Sequence, residues 1–276
     1  MDLQLDGKLA IVTGSTGDGI GFAIARELSR YGAHVVLNSR YQLAIDTAIE
    51  QIVQEVGCTK ENLHGVVGDL GSSEGVDAFV EKVSAIEKEI DRPVDILVNN
   101  VGMFHVQDFK DISDDKWLDY YNLNTMSGVR LSRHYLPAML ERNNDGRILF
   151  ISSECGLRPL PHMTAYSVSK SSQISLARGL AETTKGTTVT VNSVLPGPTL
   201  TGGVKVYMED FGKEHGIDDK DEAIARYFKE HETTSLLQRF LDPKEIANVV
   251  AFLSSPMASG INGTAQRVEG GIVRHL

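Results

Sequence analysis

Short, unbroken apolar runs alternate with amphipathic stretches along the chain. LAIVT (9–13), HVVLN (34–38), LHGVVG (63–68), VDILVN (94–99), RILFIS (147–152), TVTVNSVL (188–195) and TAQRVEG (264–270) read as strands. Runs of this length without polar alternation suit strands covered on both faces, as in a parallel sheet. Helical spacing of apolar residues falls near 21–31, 41–56, 74–90, 114–141, 163–184 and 243–254. Ser113 and Asp242 stand where helix caps belong, and Pro243 suits a first helical position. Repeated strand–helix–strand units predict right-handed crossovers. The expected fold is therefore α/β: a doubly wound, parallel, seven-stranded sheet with helices on both faces. No linker or shift in composition divides residues 1–276, so one domain is expected.

One segment breaks the alternation. Residues 201–235 are too long and too charged for a simple connector and follow directly on the sixth strand. Ligands bind beyond the carboxyl ends of strands in open α/β sheets, so a lid over a ligand is the expected role. A solvated helical insertion is the alternative.

The first strand runs into TGSTGDGIG (13–21) and then into a helix. Glycines there allow a tight turn and let backbone amides approach a pyrophosphate at the helix N-terminus. That turn marks a dinucleotide site in a Rossmann-type fold. The second strand ends in Asn38-Ser39-Arg40. A carboxylate at this place would hold the ribose 2′-hydroxyl of NAD, whereas a cation accepts the 2′-phosphate of NADP. Ser39 is neutral and Arg40 is cationic, which favours NADP(H) and leaves NAD(H) open. Asp69-Leu70, after the third strand, suits the adenine amino group. Asn99-Asn100-Val101-Gly102 closes the fourth strand with small and polar groups beside the adenosine.

Chemistry enters with Tyr166 and Lys170, four residues apart and thirteen after Ser153. On a helix that spacing puts both side chains on one face. A phenol with a pKa of about 10 exchanges protons poorly near neutrality, and a neighbouring cation is expected to lower it. A nearby serine hydroxyl would hold a carbonyl oxygen while the phenol protonates it. That set suits carbonyl reduction when a hydride donor is bound.

Composition narrows the partners. Of the 276 residues, 41% are hydrophobic and 23% charged, as in ordinary globular proteins. A net charge of −10 argues against nucleic acid and against anionic membrane surfaces as partners. Cys58 and Cys155 have no metal or disulfide spacing, so no metal is expected, and Cys155 reads as a small buried thiol. No signal-like stretch opens the sequence and no apolar run approaches a membrane span, which makes a cytoplasmic location the expectation.

Together the glycine turn, Asn-Asn-x-Gly, Asn124, Ser153, Tyr166, Lys170 and Pro196-Gly197 resemble the short-chain dehydrogenase/reductase family over essentially the whole chain. The resemblance implies an NAD(P)(H)-dependent oxidoreductase interconverting a carbonyl and a secondary alcohol. In such a protein Tyr166 is the general acid in reduction and the base in oxidation. Lys170 lowers its pKa and holds the nicotinamide ribose, Ser153 orients the substrate oxygen, and Asn124 holds a relay water. Gly14, Ser15, Thr16, Gly19, Ile20 and Gly21 would cradle the cofactor's phosphates, with Ser39, Arg40, Asp69, Leu70, Asn100, Gly102, Pro196, Gly197 and Thr199 around the rest of it. Self-association into a homotetramer, or a dimer, is also implied.

Two departures stand out. Four residues, not three, separate Gly14 from Gly19, so the extra one must bulge outwards or reshape the phosphate cradle, and Asp18 brings negative charge towards phosphates. Val101 replaces the alanine common in Asn-Asn-Ala-Gly. Glu154, Arg158 and His162, between Ser153 and Tyr166, are the first candidates for substrate contact; Met103, Phe104, His105, Thr201 and Met208 are further ones. Fatty acyl thioesters, sugars, steroids and small cyclic ketones all stay open as substrates. A cofactor-binding regulatory or scaffold protein without turnover is the competing reading, supported by the altered turn alone. An epimerase or dehydratase using the same tyrosine fits the chain's length and ending less well.

Overall fold

In a computed structural model, which describes residues 2–275, the alternation becomes a parallel sheet. Its strands are β1 (Leu9–Val12), β2 (His34–Ser39), β3 (Leu63–Val67), β4 (Val94–Asn99), β5 (Arg147–Ile151), β6 (Thr190–Pro196) and β7 (Ala265–Val268), in the order β3-β2-β1-β4-β5-β6-β7. Every neighbouring pair runs parallel. The inner strands β1, β4, β5 and β6 are buried along their whole length, which is why they read as unbroken apolar runs.

Alternate residues of each strand feed two cores. Ala10, Val12, Val35, Leu37, Val98 and Leu149 pack under helices α1 (Ile20–Arg30), α2 (Gln42–Val56) and α9 (Pro243–Ser254). Leu9, Ile11, Val36, Leu97, Ile148 and Phe150 pack under α3 (Ser73–Ile90), α5 (Ser127–Arg142) and α6 (Thr164–Glu182). Asp242 caps α9 as expected, in a reciprocal capping box with Glu245 and with Pro243 at the first position. Ser113 accepts a hydrogen bond from Lys116 N at the start of α4 (Asp114–Tyr120).

The long amphipathic pattern over 114–141 is not one straight helix. A wide, π-type turn at Tyr121–Met126 separates α4 from α5. The cause is tertiary. Within that turn Asn124 is fully buried and spends its side-chain amide on Met103 and Ser169. Residues 201–235 carry two helices, α7 (Gly202–His215) and α8 (Lys220–Glu230), which close a small apolar core of Met208, Phe211, Ala223, Phe228 and Phe240.

Because the sheet is parallel, all its carboxyl ends open on one edge. The strand order reverses direction between β1 and β4, the switch point where such sheets bind ligands. No helix of the described residues is long and apolar enough to cross a membrane.

Candidate active site

The turn after β1 is clamped from both sides. Asn38 at the end of β2 accepts a bond from Gly14 N at 3.2 Å, its carbonyl accepts one from Ser15 N, and its own N–H donates to Ser15 Oγ. On the other side Asn100 donates to the carbonyls of Thr13 and Gly14 at 2.9 and 3.0 Å. Gly14 adopts φ +60°, a left-handed conformation that favours glycine. Gly21 lies against Gly14 O and Asn100 Nδ2, so a Cβ there has no room.

The other turn glycines differ in kind. A Cβ at Gly17 or Gly19 would meet nothing within 4 Å. Gly19 begins α1 without a side-chain cap, and the first turn of α1 has no acidic residue. A helix N-terminus with open space at Gly17 and Gly19 and no acidic residue in its first turn suits a pyrophosphate, and the residues present fit a dinucleotide. Asp18, in the lengthened turn, is held from α7. Its carbonyl accepts from Gly202 N at 2.7 Å, and its carboxylate pairs with Lys205 of α7 at 2.5 Å. The carboxylate therefore has a cation of its own.

Ser39 ends β2 and the exposed Arg40 follows it, its guanidinium 5.8 Å from the centre of the Tyr41 ring. Asp69 is exposed and accepts from Gly71 N, while Leu70 is buried beneath it. After β6, Gly197 lies against the backbone of Glu269, 2.7 Å from its Cα if a Cβ is added, and Thr199 Oγ1 donates to Gly197 O. These groups all stand on the same edge as the glycine turn.

Ser153, Tyr166, Lys170 and Asn124 converge beside it. Ser153 follows the last residues of β5, and Ser152 Oγ donates to Lys170 O at 2.8 Å, tying that strand end to α6. Asn124 and Lys170 both flank Gly102, where an added Cβ would lie 3.2 Å from Asn124 Oδ1 and 3.6 Å from Lys170 Nζ. Lys170 Nζ lies 5.6 Å from the Tyr166 ring centre. It donates to Ile151 O at 2.8 Å and to Gln173 Oε1 at 3.1 Å.

Burial works against the expectation that the lysine lowers the tyrosine's pKa. Burial pushes the Tyr166 phenol up, with the nearby Cys155 thiol adding to it and Ser153 opposing. Burial draws Lys170 down to about 7. For both groups burial is the largest cause of the shift. Near neutral pH the phenol holds its proton, the form a general acid requires.

Of the three candidate substrate contacts, the structure brings two together. Glu154 is buried beside Ser153, and Arg158, one turn on, reaches Glu154 at 3.6 Å. His162 is exposed; its carbonyl accepts from Gln107 N and serves the loop after β4. Phe104 from that loop packs edge-on against Tyr166 at 6.1 Å. Cys155 is buried with its thiol pushed up by burial, consistent with an inert packing role.

Sequence reasoning missed Gln173 and Glu232. Gln173 is buried and its Nε2 donates to Asn124 O at 2.6 Å, so one amide bridges Lys170 and the π turn. Its place three residues after Lys170, on the same helical face, was the available signal. Glu232 is buried against Arg158 at 2.8 Å, in a stretch where acidic residues crowd and none stands out.

The comparisons agree with this geometry. The family model of the short chain dehydrogenase matches residues 8–210. The chain belongs to the short-chain dehydrogenase/reductase family. It is 51% identical over 276 residues to the uncharacterized oxidoreductase YvrD of Bacillus subtilis, covering all of both chains. Among solved structures, the L-sorbose reductase of Gluconobacter frateurii, complexed with NADPH and L-sorbose, matches with a TM-score of 0.90 at 33% identity over the full length of both. A variant of actinorhodin polyketide ketoreductase with NADPH matches at 0.85, 30% identical over 99% of each chain. This member of the family is thus an oxidoreductase of the NAD(P)-dependent kind, and its sheet is the family's Rossmann-type fold.

Proposed function

We propose that this short-chain dehydrogenase/reductase is an NADP(H)-preferring enzyme that interconverts a ketone and a secondary alcohol. The observation that carries the reading is the convergence of Ser153, Tyr166, Lys170 and Asn124 on the sheet edge that also holds the glycine turn. A bound nicotinamide would supply or accept the hydride. Tyr166 gives its phenolic proton to the carbonyl oxygen in reduction and takes it back in oxidation. Ser153 holds that oxygen, and buried Lys170 faces Tyr166 and the ribose side of the site. Asn124 acts through its main-chain carbonyl, which Gln173 holds in place.

For the cofactor, Gly14, Ser15, Thr16, Gly19, Ile20 and Gly21 would take the phosphates, and Asp69, Leu70, Asn100 and Gly102 the adenosine. Pro196, Gly197 and Thr199 would face the nicotinamide end. NADP is favoured because β2 ends in a neutral Ser39 followed by an exposed Arg40, with no carboxylate. Asp18, whose charge argued against a phosphate, is neutralised by Lys205. Two solved relatives bind NADPH. Arg40→Ala is expected to weaken NADPH by roughly 10- to 100-fold, the loss of one charge-assisted phosphate contact, and to leave NADH nearly unchanged. Titration of both cofactors by fluorescence checks this, and equal losses would remove Arg40 from the phosphate site.

The chain is read as one catalytic domain with residues 201–235 as a lid, since that segment supplies Lys205 to the glycine turn and Glu232 to the wall behind Ser153. Glu154 and Arg158, close to Ser153, favour a polar, hydroxylated ketone over a hydrocarbon one, and L-sorbose in the Gluconobacter enzyme is of that class. Turnover of NADPH followed optically over keto sugars, diketones, steroids and acyl thioesters tests the reading. Oxidation confined to hydrocarbon ketones would sink the substrate class.

Self-association through the outer face of α6 and the turn before α5 is part of the same reading. Tyr121 and Val168 are half exposed there, with Val129 and Leu176 beside them. Light scattering should give a dimer or tetramer, and Val168→Glu should shift it to smaller species; a monomeric wild-type chain contradicts this. A cytoplasmic location remains part of the proposal.

A further inference from the structure

Behind Ser153 lie three charged groups that the proton transfer does not use. Glu154 and Glu232 are 4% and 6% exposed. Arg158 stands between them, its Nη2 2.8 Å from Glu232 Oε2 and 3.6 Å from Glu154 Oε1. One guanidinium serves two desolvated carboxylates, and the shorter contact belongs to Glu232. A buried carboxylate without full compensation takes up a proton rather than stay charged.

The other groups facing Glu154 are Ser153 and Cys155 beside it, Tyr166 of α6, and Tyr227 of α8. Burial raises Cys155, Tyr166 and Tyr227, keeping them neutral near pH 7. Among these neighbours Arg158 is the cation, and its shorter contact is with Glu232. Burial raises Glu154 as well, against opposing hydrogen bonds from Ser153 and Cys155 and the pull of Arg158.

The contact with Ser153 gives that proton a consequence. Ser153 Oγ and Glu154 Oε2 are 2.5 Å apart. A serine has one hydrogen to donate. Facing an ionised Glu154, Ser153 donates to the carboxylate and has nothing left for a substrate oxygen. A protonated Glu154 instead donates to Ser153 Oγ, and the serine hydrogen turns towards the substrate.

We propose that Glu154 is a positioning residue for Ser153, and that Glu232, by holding Arg158, keeps Glu154 protonated so that Ser153 can donate to the substrate oxygen. The step at Ser153 rests on the ketone-reduction reading; the charge linkage among Glu154, Arg158 and Glu232 does not. Residues 201–235 thereby take part in the proton-transfer site through charge, without touching the reacting atoms.

The test uses the full chain with carbon-13 in its glutamate carboxyls, the Glu154 resonance being assigned by its absence in Glu154→Gln. Glu154 is expected to titrate above the ordinary carboxylate range. Glu232→Gln should lower that midpoint by about one pH unit or more, as Arg158 turns to Glu154. Arg158→Met should raise it, an opposite shift that a folding defect does not mimic. In ketone reduction, wild-type kcat should fall as pH rises through the midpoint. That limb should disappear in Glu154→Gln, whose amide still donates to Ser153, and move to lower pH in Glu232→Gln.

A midpoint in the ordinary range, or one unmoved by Glu232→Gln, overturns the linkage. A moved midpoint with an unmoved kcat profile overturns the positioning role. A wild-type chain that reduces no ketone refutes the functional reading instead, while the carboxyl titration still decides the linkage.

Discussion

Tyr166→Phe should lose turnover by roughly 10²- to 10⁴-fold in kcat, the usual worth of a positioned general acid. The variant keeps the ring and with it the edge-on contact to Phe104 and the packing beside Lys170. It removes only the hydroxyl, so NADPH affinity and thermal stability should stay near wild type. The phenol is held neutral by burial, which makes it a donor in reduction without help from an added proton. Full activity in this variant would remove Tyr166 from proton transfer, and weakened NADPH binding would mean that the phenol serves the cofactor instead. The pair of measurements, single-turnover reduction and cofactor titration, separates these outcomes.

Gly21→Ala should fail earlier, at the fold of the cofactor turn. Its Cβ would meet Gly14 O and Asn100 Nδ2 directly and lie 3.1 Å from Gly14 C. These are backbone atoms and the amide that holds them, so no flexible side-chain end can yield. Overpacking of this kind costs about 1–3 kcal/mol, and Asn100 stands to lose its bonds to Thr13 and Gly14 as well. A fall in Tm on the order of 5 °C is expected, together with loss of most NADPH binding. Gly19→Ala is the contrast. Gly19 has extended backbone, φ −144°, and open space around it. Its extra methyl should leave Tm unchanged and weaken NADPH alone, because the room it fills is where the pyrophosphate belongs. Calorimetry and cofactor titration on both variants read the difference; Gly21→Ala with wild-type binding would show that the turn does not cradle the phosphates.

The inner strands were legible because burial on both faces leaves an unmistakable trace. β4 falls on 94–99, as its apolar run predicts, and β5 starts at Arg147 and ends one residue before the end of its run. Arg147 shows the limit of that trace. It is charged in sequence yet fully buried, donating to the carbonyls of Gly146 and Thr188. The site residues were legible where chemistry demands a spacing along one helix, as at Tyr166 and Lys170. They were hidden where partners come from elsewhere in the chain. Asn124 bends its helix because Met103 and Ser169 engage it, and no local pattern reports that. Gln173 reads as an ordinary polar helix residue until Asn124 O is seen against it. Asp18 looked like an obstacle to phosphates until Lys205, from the far end of the chain, was found on its carboxylate.

The central claim is hydride transfer between a nicotinamide and a carbonyl carbon. The direct measurement is to give the protein NADPH deuterated at the transferable position, with a panel of keto sugars and diketones, and to locate the label by mass spectrometry and NMR. One deuterium on the carbinol carbon of the product, absent with Tyr166→Phe, is the expected result. NADPH bound tightly while its deuterium stays on the nicotinamide across the whole panel would contradict the account and favour a cofactor-binding protein without turnover.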